Sequence, residues 1–345
     1  MRRENQISGL AKVGQFLKIY LQKDSGSFEN NEEELQSILR KSQIENQWFT
    51  QDNQKFALNE WAQMLTEENL LDWVSNYTYA SVEKKVGLIL AGNLPMVGLH
   101  DVIATILSGH KALVKLSSKD RHLIPFILKL WKENTEENDV PFEIVEKLVD
   151  FDAVIATGSN NTARYLSYYF EKYPNIIRKN RTSVGVITGN ETDEELKALA
   201  NDIFVYFGLG CRNVTRLFIP EGVKLDRLFE NFVEHKEVIN HNKYANNYDY
   251  NRAIYLLNKE QFWDNNFVLI REHDDLFSPL AVINFSRYND ISEVEEYLST
   301  HEEEIQAVVS SVDLNRPTLA LGEAQKPDLK TYADNVDTMA FLNNL

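Results

Sequence analysis

The chain is predicted to be an α/β protein of two domains, built on a parallel sheet with helices on both faces. Two observations carry this. From Val86 onward, short continuous apolar runs (residues 86–90, 112–115, 151–156 and 183–187) alternate with helix-length stretches. Strands that are apolar along their whole length are those covered on both faces, as in parallel sheets. The second observation is length: 345 residues exceed what one hydrophobic core comfortably serves.

The elements follow in order. Residues 1 to about 80 read as charged helices punctuated by Trp48, Trp61 and Trp73, and carry no chemistry; core packing or an oligomer contact is their expected use. Strand 86–90 leads to a helix over 99–107, strand 112–115, a helix over 121–133, strand 151–156, a helix over 162–173 and strand 183–187. In such sheets ligands bind beyond the carboxyl ends of the strands. An amphipathic helical run precedes Gly208, and the alternation resumes on a smaller scale. Strands are expected at 214–219, 280–285 and 307–309, and helices at 225–235 and 291–300. No repeat or low-complexity linker interrupts the chain. The domain boundary is placed inside the helix that ends before Gly208. Residues 1–206 would form a helical region and cofactor domain, 207–312 a catalytic domain, and 313–345 a tail packing on the cofactor domain or on a partner subunit.

Hydrophobic residues at 43% and charged residues at 26% describe an ordinary globular protein. A formal charge of −16, from 36 basic and 52 acidic residues, argues against a nucleic-acid partner, which needs a basic face. No run is long and apolar enough for a signal peptide or a bilayer span, so a cytoplasmic protein is expected. A single cysteine, Cys211, excludes internal disulfides and cysteine-cluster metal sites. The scattered histidines offer no second ligand at helical spacing, and no metal is expected.

Four segments can carry chemistry. Cys211 lies in Gly208-Leu209-Gly210-Cys211, between a helix and a strand, where two glycines leave room for a substrate. A lone cysteine is more often a small buried hydrophobe. Asn93 and Pro95 follow the first buried strand, where an asparagine is ordinarily a turn former. Lys115 closes the next strand, and Ser117-Ser118 opens the helix start beyond it, a pattern that also suits a helix cap. Thr157-Gly158-Ser159 ends a strand and begins a helix, where backbone amides and the positive helix end favour an anion.

In this order the segments resemble the aldehyde dehydrogenase superfamily. Asn93 with Pro95 looks like its strand-end Asn-x-Pro, Lys115 like its cofactor lysine, and Gly158-Ser159 like its Thr-Gly-Ser. Gly208 to Cys211 is similar to its nucleophile loop, and Asp275-Leu276-Phe277-Ser278-Pro279 to its Glu-x-Phe-Gly-Pro. Val97-Gly98-Leu99-His100-Asp101, residues 108–115 and Cys211-Arg212-Asn213-Val214 resemble the acyl-CoA reductase branch that includes the luciferase-associated fatty acid reductase. The resemblance implies a Rossmann-type cofactor domain and a smaller α/β catalytic domain. It makes Cys211 the nucleophile and Asn93 an oxyanion donor. Lys115 and Ser118 would hold the adenosine ribose, Thr157, Gly158 and Ser159 the nicotinamide and diphosphate, and Asp275 with Phe277 the nicotinamide ribose. Asp275 is one methylene shorter than the family glutamate.

Two departures sharpen the expectation. Residues 176–182, matching the family's Glu-Leu-Gly-Gly, hold no carboxylate, so the base that activates water against an acyl-enzyme is missing. Where NAD-preferring relatives carry a glutamate, this chain has Ser118. A carboxylate there would repel a 2′-phosphate by roughly 4 kcal/mol at about 4 Å and an effective dielectric of about 20. NADPH is therefore favoured over NADH. The expected activity is reduction of an acyl thioester, fatty acyl-CoA foremost, to the aldehyde through an acyl-cysteine. The alternatives are CoA-acylating oxidation of an aldehyde and a noncatalytic nucleotide-binding subunit of a fatty-acid-processing complex. The resemblance also implies a homo-oligomer and leaves room for an acyl-transfer partner enzyme.

Overall fold

The computed structural model describes residues 2–23 and 26–345. The chain divides into two units, residues 1–179 with 328–345, and residues 180–327.

In the first unit, α1 (Arg2–Gln22), α2 (Asn31–Glu45), α3 (Gln51–Met64) and α4 (Glu67–Val74) precede the sheet. There follow β1 (Lys85–Ile89), α5 (Leu99–Leu107), β2 (Lys111–Lys115), α6 (Leu123–Asn134), β3 (Phe142–Ile144), β4 (Ala153–Thr157), α7 (Asn160–Phe170) and β5 (Asn175–Arg178). The strand order is β3-β2-β1-β4-β5, and every pairing is parallel. The chain winds outward from β1 to β3, then crosses back to β4, so the direction switches between β1 and β4. In open α/β sheets ligands bind at the carboxyl ends beside such a switch. Helix α5 is buried at every residue but His100, and its one buried carboxylate, Asp101, is paired with Arg178. Its outer side is covered by a C-terminal helix, Thr338–Asn343, which buries Met339 and Leu342. Trp61 and Trp73 are core residues, and the Trp73 indole donates to the Tyr332 hydroxyl at 2.8 Å.

The second unit contains β6 (Thr182–Val186), α8 (Asp193–Phe204), β7 (Val214–Pro220), α9 (Asp226–Phe232), α10 (Asn242–Asn258), β8 (Trp263–Asp264), β9 (Leu269–Glu272), β10 (Val282–Tyr288), α11 (Ile291–Thr300) and β11 (Ile305–Ser310). Its sheet runs β11-β6-β7-β10-β9-β8, antiparallel only between β8 and β9. Strand β7 alternates: Leu217 and Ile219 face the core under α8 and α9, and Phe218 the core under α11.

The expected α/β architecture is present, and the two compact units divide between Lys179 and Asn180. The reason is that α8 spends its apolar face (Leu196, Leu199 and Ile203) on the core of the six-stranded sheet. Of the tail, 313–327 stays with the second unit and 328–345 joins the first.

Candidate active site

Cys211 stands between the end of α8 and the start of β7 and is partly exposed. The loop before it turns through three consecutive left-handed residues, Tyr206 (φ +56°), Phe207 (+58°) and Gly208 (+78°). Glycine takes this conformation freely, whereas each of the two aromatic residues costs roughly 1–2 kcal/mol. Such strain persists only where surroundings over-determine it. Here the determinant is Asn213, whose side chain is fully buried. Its amide donates to the carbonyls of Asp202 (3.0 Å), Ile203 (3.2 Å) and Val205 (2.8 Å), and its Oδ1 accepts the Gly210 N–H at 2.8 Å. One side chain thus closes the end of α8 and fixes the residue before Cys211. From β6, the Ser183 hydroxyl donates to the Cys211 carbonyl at 3.0 Å. The Asp202 carboxylate, at the end of α8, accepts the N–H groups of Gly322 and Ala324 at 2.6 and 2.9 Å. Burial pushes it up to about 7.

Asp275 and Phe277 lie in the loop from β9 to β10, and a buried polar row holds that loop by its carbonyls. Thr215 donates to Leu276 O at 3.2 Å. The Arg216 guanidinium donates to the carbonyls of His273 (2.6 Å) and Asp275 (3.0 Å), while stacking on Phe218 and Tyr297. Asn284, level with Arg216 on the neighbouring strand, donates to the carbonyls of Asp275 (2.9 Å) and Phe277 (3.2 Å). The Asp275 side chain remains mostly exposed, beside His273. Strand β7 therefore begins at the cysteine loop and, within three residues, grips the Asp275 loop. A narrow crevice opens between them, lined by Phe207, Gly208, Tyr244, Pro279 and Leu280.

In the first unit, the remaining predicted residues gather at the carboxyl edge of the sheet. Lys115 ends β2, level with Ile89 at the end of β1, and Asn93 is exposed in the turn that follows β1. Ser118 is exposed in the tight turn after Lys115. Thr157 ends β4, and Ser159 caps α7 by accepting the Thr162 N–H at 3.3 Å. The switch between β1 and β4 thus lies among Asn93, Lys115 and Thr157–Ser159. Cys211, Asp275 and Phe277 lie in the other unit.

Where the family glutamate would stand, β5 ends in Arg178. Its guanidinium is buried, paired with both oxygens of Asp101 on α5, and donates to the Thr338 hydroxyl at 2.9 Å. Ile177 packs into the apolar cluster under α7. These positions are committed to the fold, and neither offers a base. Among the described residues, no group of three or more His, Cys, Asp or Glu side chains could hold a metal ion. No helix among them is long and apolar enough to cross a membrane.

Sequence reasoning passed over Asn213, Arg216 and Asn284 as functional positions. The available signal was a charged or amide side chain inside, or at the head of, an otherwise apolar strand.

Solved structures of similar fold include aldehyde dehydrogenase 21 from Physcomitrella patens, solved with its product succinate. It has a TM-score of 0.66 at 14% identity, over 99% of this chain and 84% of that one. An NADP-dependent enzyme from E. coli aligns with a TM-score of 0.61 at 12% identity, over 91% and 74%. An aldehyde dehydrogenase from Bacillus cereus, in complex with NAD+, aligns at 0.59 and 13%, over 91% and 73%. No curated protein matches the sequence. The model of the acyl-CoA reductase (LuxC) family matches residues 21–317. With the cysteine loop and the doubly wound sheet in place, the chain belongs to the acyl-CoA reductase (LuxC) family, a family of oxidoreductases.

Proposed function

We propose that the protein reduces an acyl thioester, fatty acyl-CoA foremost, to the aldehyde with NADPH, through an acyl group carried on Cys211. The observation that supports this most is the cysteine loop: a partly exposed thiol behind a strained turn that Asn213 pins in place. The Cys211 thiolate attacks the thioester carbonyl, the Asn93 amide and the Cys211 N–H stabilise the oxyanion, and coenzyme A leaves as its thiolate. Covalent catalysis divides the reduction into two lower barriers. Arg178 and Ile177 offer water no base, so the acyl-cysteine persists. After reduction the thiohemiacetal on Cys211 collapses to aldehyde and restores the thiolate.

The residues at the sheet edge suit a nicotinamide dinucleotide. Lys115 and Ser118 would hold the adenosine ribose and its phosphate, Thr157 and Gly158 with the capped start of α7 the diphosphate, and Asp275 with Phe277 the nicotinamide ribose. When bound, this group supplies the hydride. Solved structures of similar fold include an NADP-dependent enzyme and one in complex with NAD+, which supports a nicotinamide cofactor. We further propose a homo-oligomer in the cytoplasm. NADPH oxidation with acyl-CoAs of graded length tests the reading. Faster turnover with aldehyde, NADP and coenzyme A would assign the oxidative direction instead.

A further inference from the structure

We infer that Asp120 is a positioning residue that joins the turn carrying Asn93 to the turn carrying Ser118, so that a ligand on one is felt at the other. The inference rests on the acyl-thioester reading above, which makes the first turn the oxyanion side and the second the cofactor side.

Both turns leave the sheet at the same level, since Ile89 pairs with Lys115 and the Leu90 N–H donates to Lys115 O at 3.1 Å. The first turn ends in Met96, fully buried and left-handed at φ +57°, a conformation unfavourable for a bulky residue. Met96 is pinned from both sides. Its N–H donates to Asp120 Oδ2 at 2.8 Å, and its carbonyl accepts the Leu99 N–H at the start of α5 at 3.0 Å.

The second turn is closed by a bridge between Ser117 and Asp120. Asp120 is only 3% exposed, and its Oδ1 has no hydrogen-bond partner among the described residues. Burial pushes this carboxyl up to about 6, against the pull of the Met96 and Leu123 N–H groups. The carboxylate thus serves the start of α6 through Leu123 and also reaches the other turn, where its Oδ2 accepts the Met96 N–H. The two turns also abut at Gly92, where a Cβ would run into the Ser117 side chain. A displacement of residues 117–120 therefore pulls on Met96 and presses on Gly92, the neighbour of Asn93. Cofactor on Ser118 and Lys115 would hold the Asn93 turn in its donor position.

Amide hydrogen exchange on the full chain tests this without requiring turnover. With NADPH, the parent should show slower exchange at residues 91–98 as well as at 115–120. In Asp120→Ala the protection should remain at 115–120 and disappear at 91–98. Asp120→Asn, whose amide oxygen still accepts the Met96 N–H, should recover most of it. Gly92→Ala keeps the Asp120 carboxylate, but its Cβ would press on the Ser117 side chain and the Asp120 backbone, so it should uncouple the turns as Asp120→Ala does. In parallel, acylation of Cys211 from acyl-CoA should slow about tenfold in Asp120→Ala and stay within about twofold of the parent in Asp120→Asn. Equal protection of 91–98 in parent and Asp120→Ala overturns the inference, as does a parent that binds NADPH without protecting 91–98. A parent that binds NADPH but takes no acyl group on Cys211 overturns the acyl-thioester reading, while the exchange comparison still judges the coupling.

Discussion

Four hydrogen bonds converge on Asn213, three of them to carbonyls at the end of α8. Replacing it with alanine leaves those groups to compete for water in a buried place. Asn213→Ala should lower the unfolding free energy by about 2–4 kcal/mol, at roughly 0.5–1 kcal/mol per bond, and change the alkylation rate of Cys211. Asn213→Asp should be at least as damaging, because a carboxylate would face three carbonyl oxygens. A loss under about 1 kcal/mol in denaturant unfolding would mean that the loop repacks without it. Ser118 tests the cofactor at the same scale. Ser118→Glu should shift kcat/KM from NADPH toward NADH, because the new carboxylate would oppose a 2′-phosphate. An unchanged ratio would place the adenosine ribose elsewhere.

At the scale of elements, two buried carboxyls set a pH dependence. Asp202 at the end of α8 and Asp120 beyond β2 are raised to about 7 and about 6. A carboxyl whose folded value lies above its unfolded one binds more protons in the folded state. Its stabilising contribution is complete below about pH 4 and is lost as pH rises through the folded value. The contribution of these two carboxyls to the unfolding free energy should thus fall between about pH 4 and about pH 7, opposed by His110 and His235, whose imidazoles burial lowers. The fall should amount to a few kcal/mol, because a tenfold change in proton affinity is worth about 1.4 kcal/mol. Asp120→Asn should flatten the part below about pH 6. Denaturant unfolding of the parent and of Asp120→Asn at several pH values checks this, and parallel curves below about pH 6 would contradict it.

The legible elements were those with one dominant pattern. Helix α5 was expected at 99–107 and is found there, because nine largely apolar residues sit between turn residues. Helix α10 escaped notice under its asparagines and tyrosines. Only the spacing of its buried Tyr244, Tyr248, Asn251 and Tyr255 betrays the helical period. The short strands β3, β5, β8 and β9 gave too few residues to show one. Motif order made Cys211, Asn93 and the sheet-edge residues legible. The bonds that brace them were not, since Arg216 and Asp275 lie 59 positions apart.

For the whole molecule, the return of 328–345 to the first unit gives the C-terminal residues a structural duty. Thr338 bonds Arg178, Asp337 accepts the Tyr77 hydroxyl at 2.7 Å, and Met339 and Leu342 cover α5. Truncation after Pro327 should lower the midpoint of thermal unfolding and weaken NADPH binding by fluorescence titration. A truncated protein with both unchanged would show that the segment is dispensable.

The most direct test of the acyl-cysteine reading is intact mass of the protein incubated with acyl-CoA and no reductant, followed by addition of NADPH. The parent should gain one acyl group, retain it for lack of a water-activating base, and lose it as aldehyde when NADPH is added, whereas Cys211→Ala should gain none. An acyl group on the alanine variant, or rapid release from the parent as free acid without NADPH, would contradict the account.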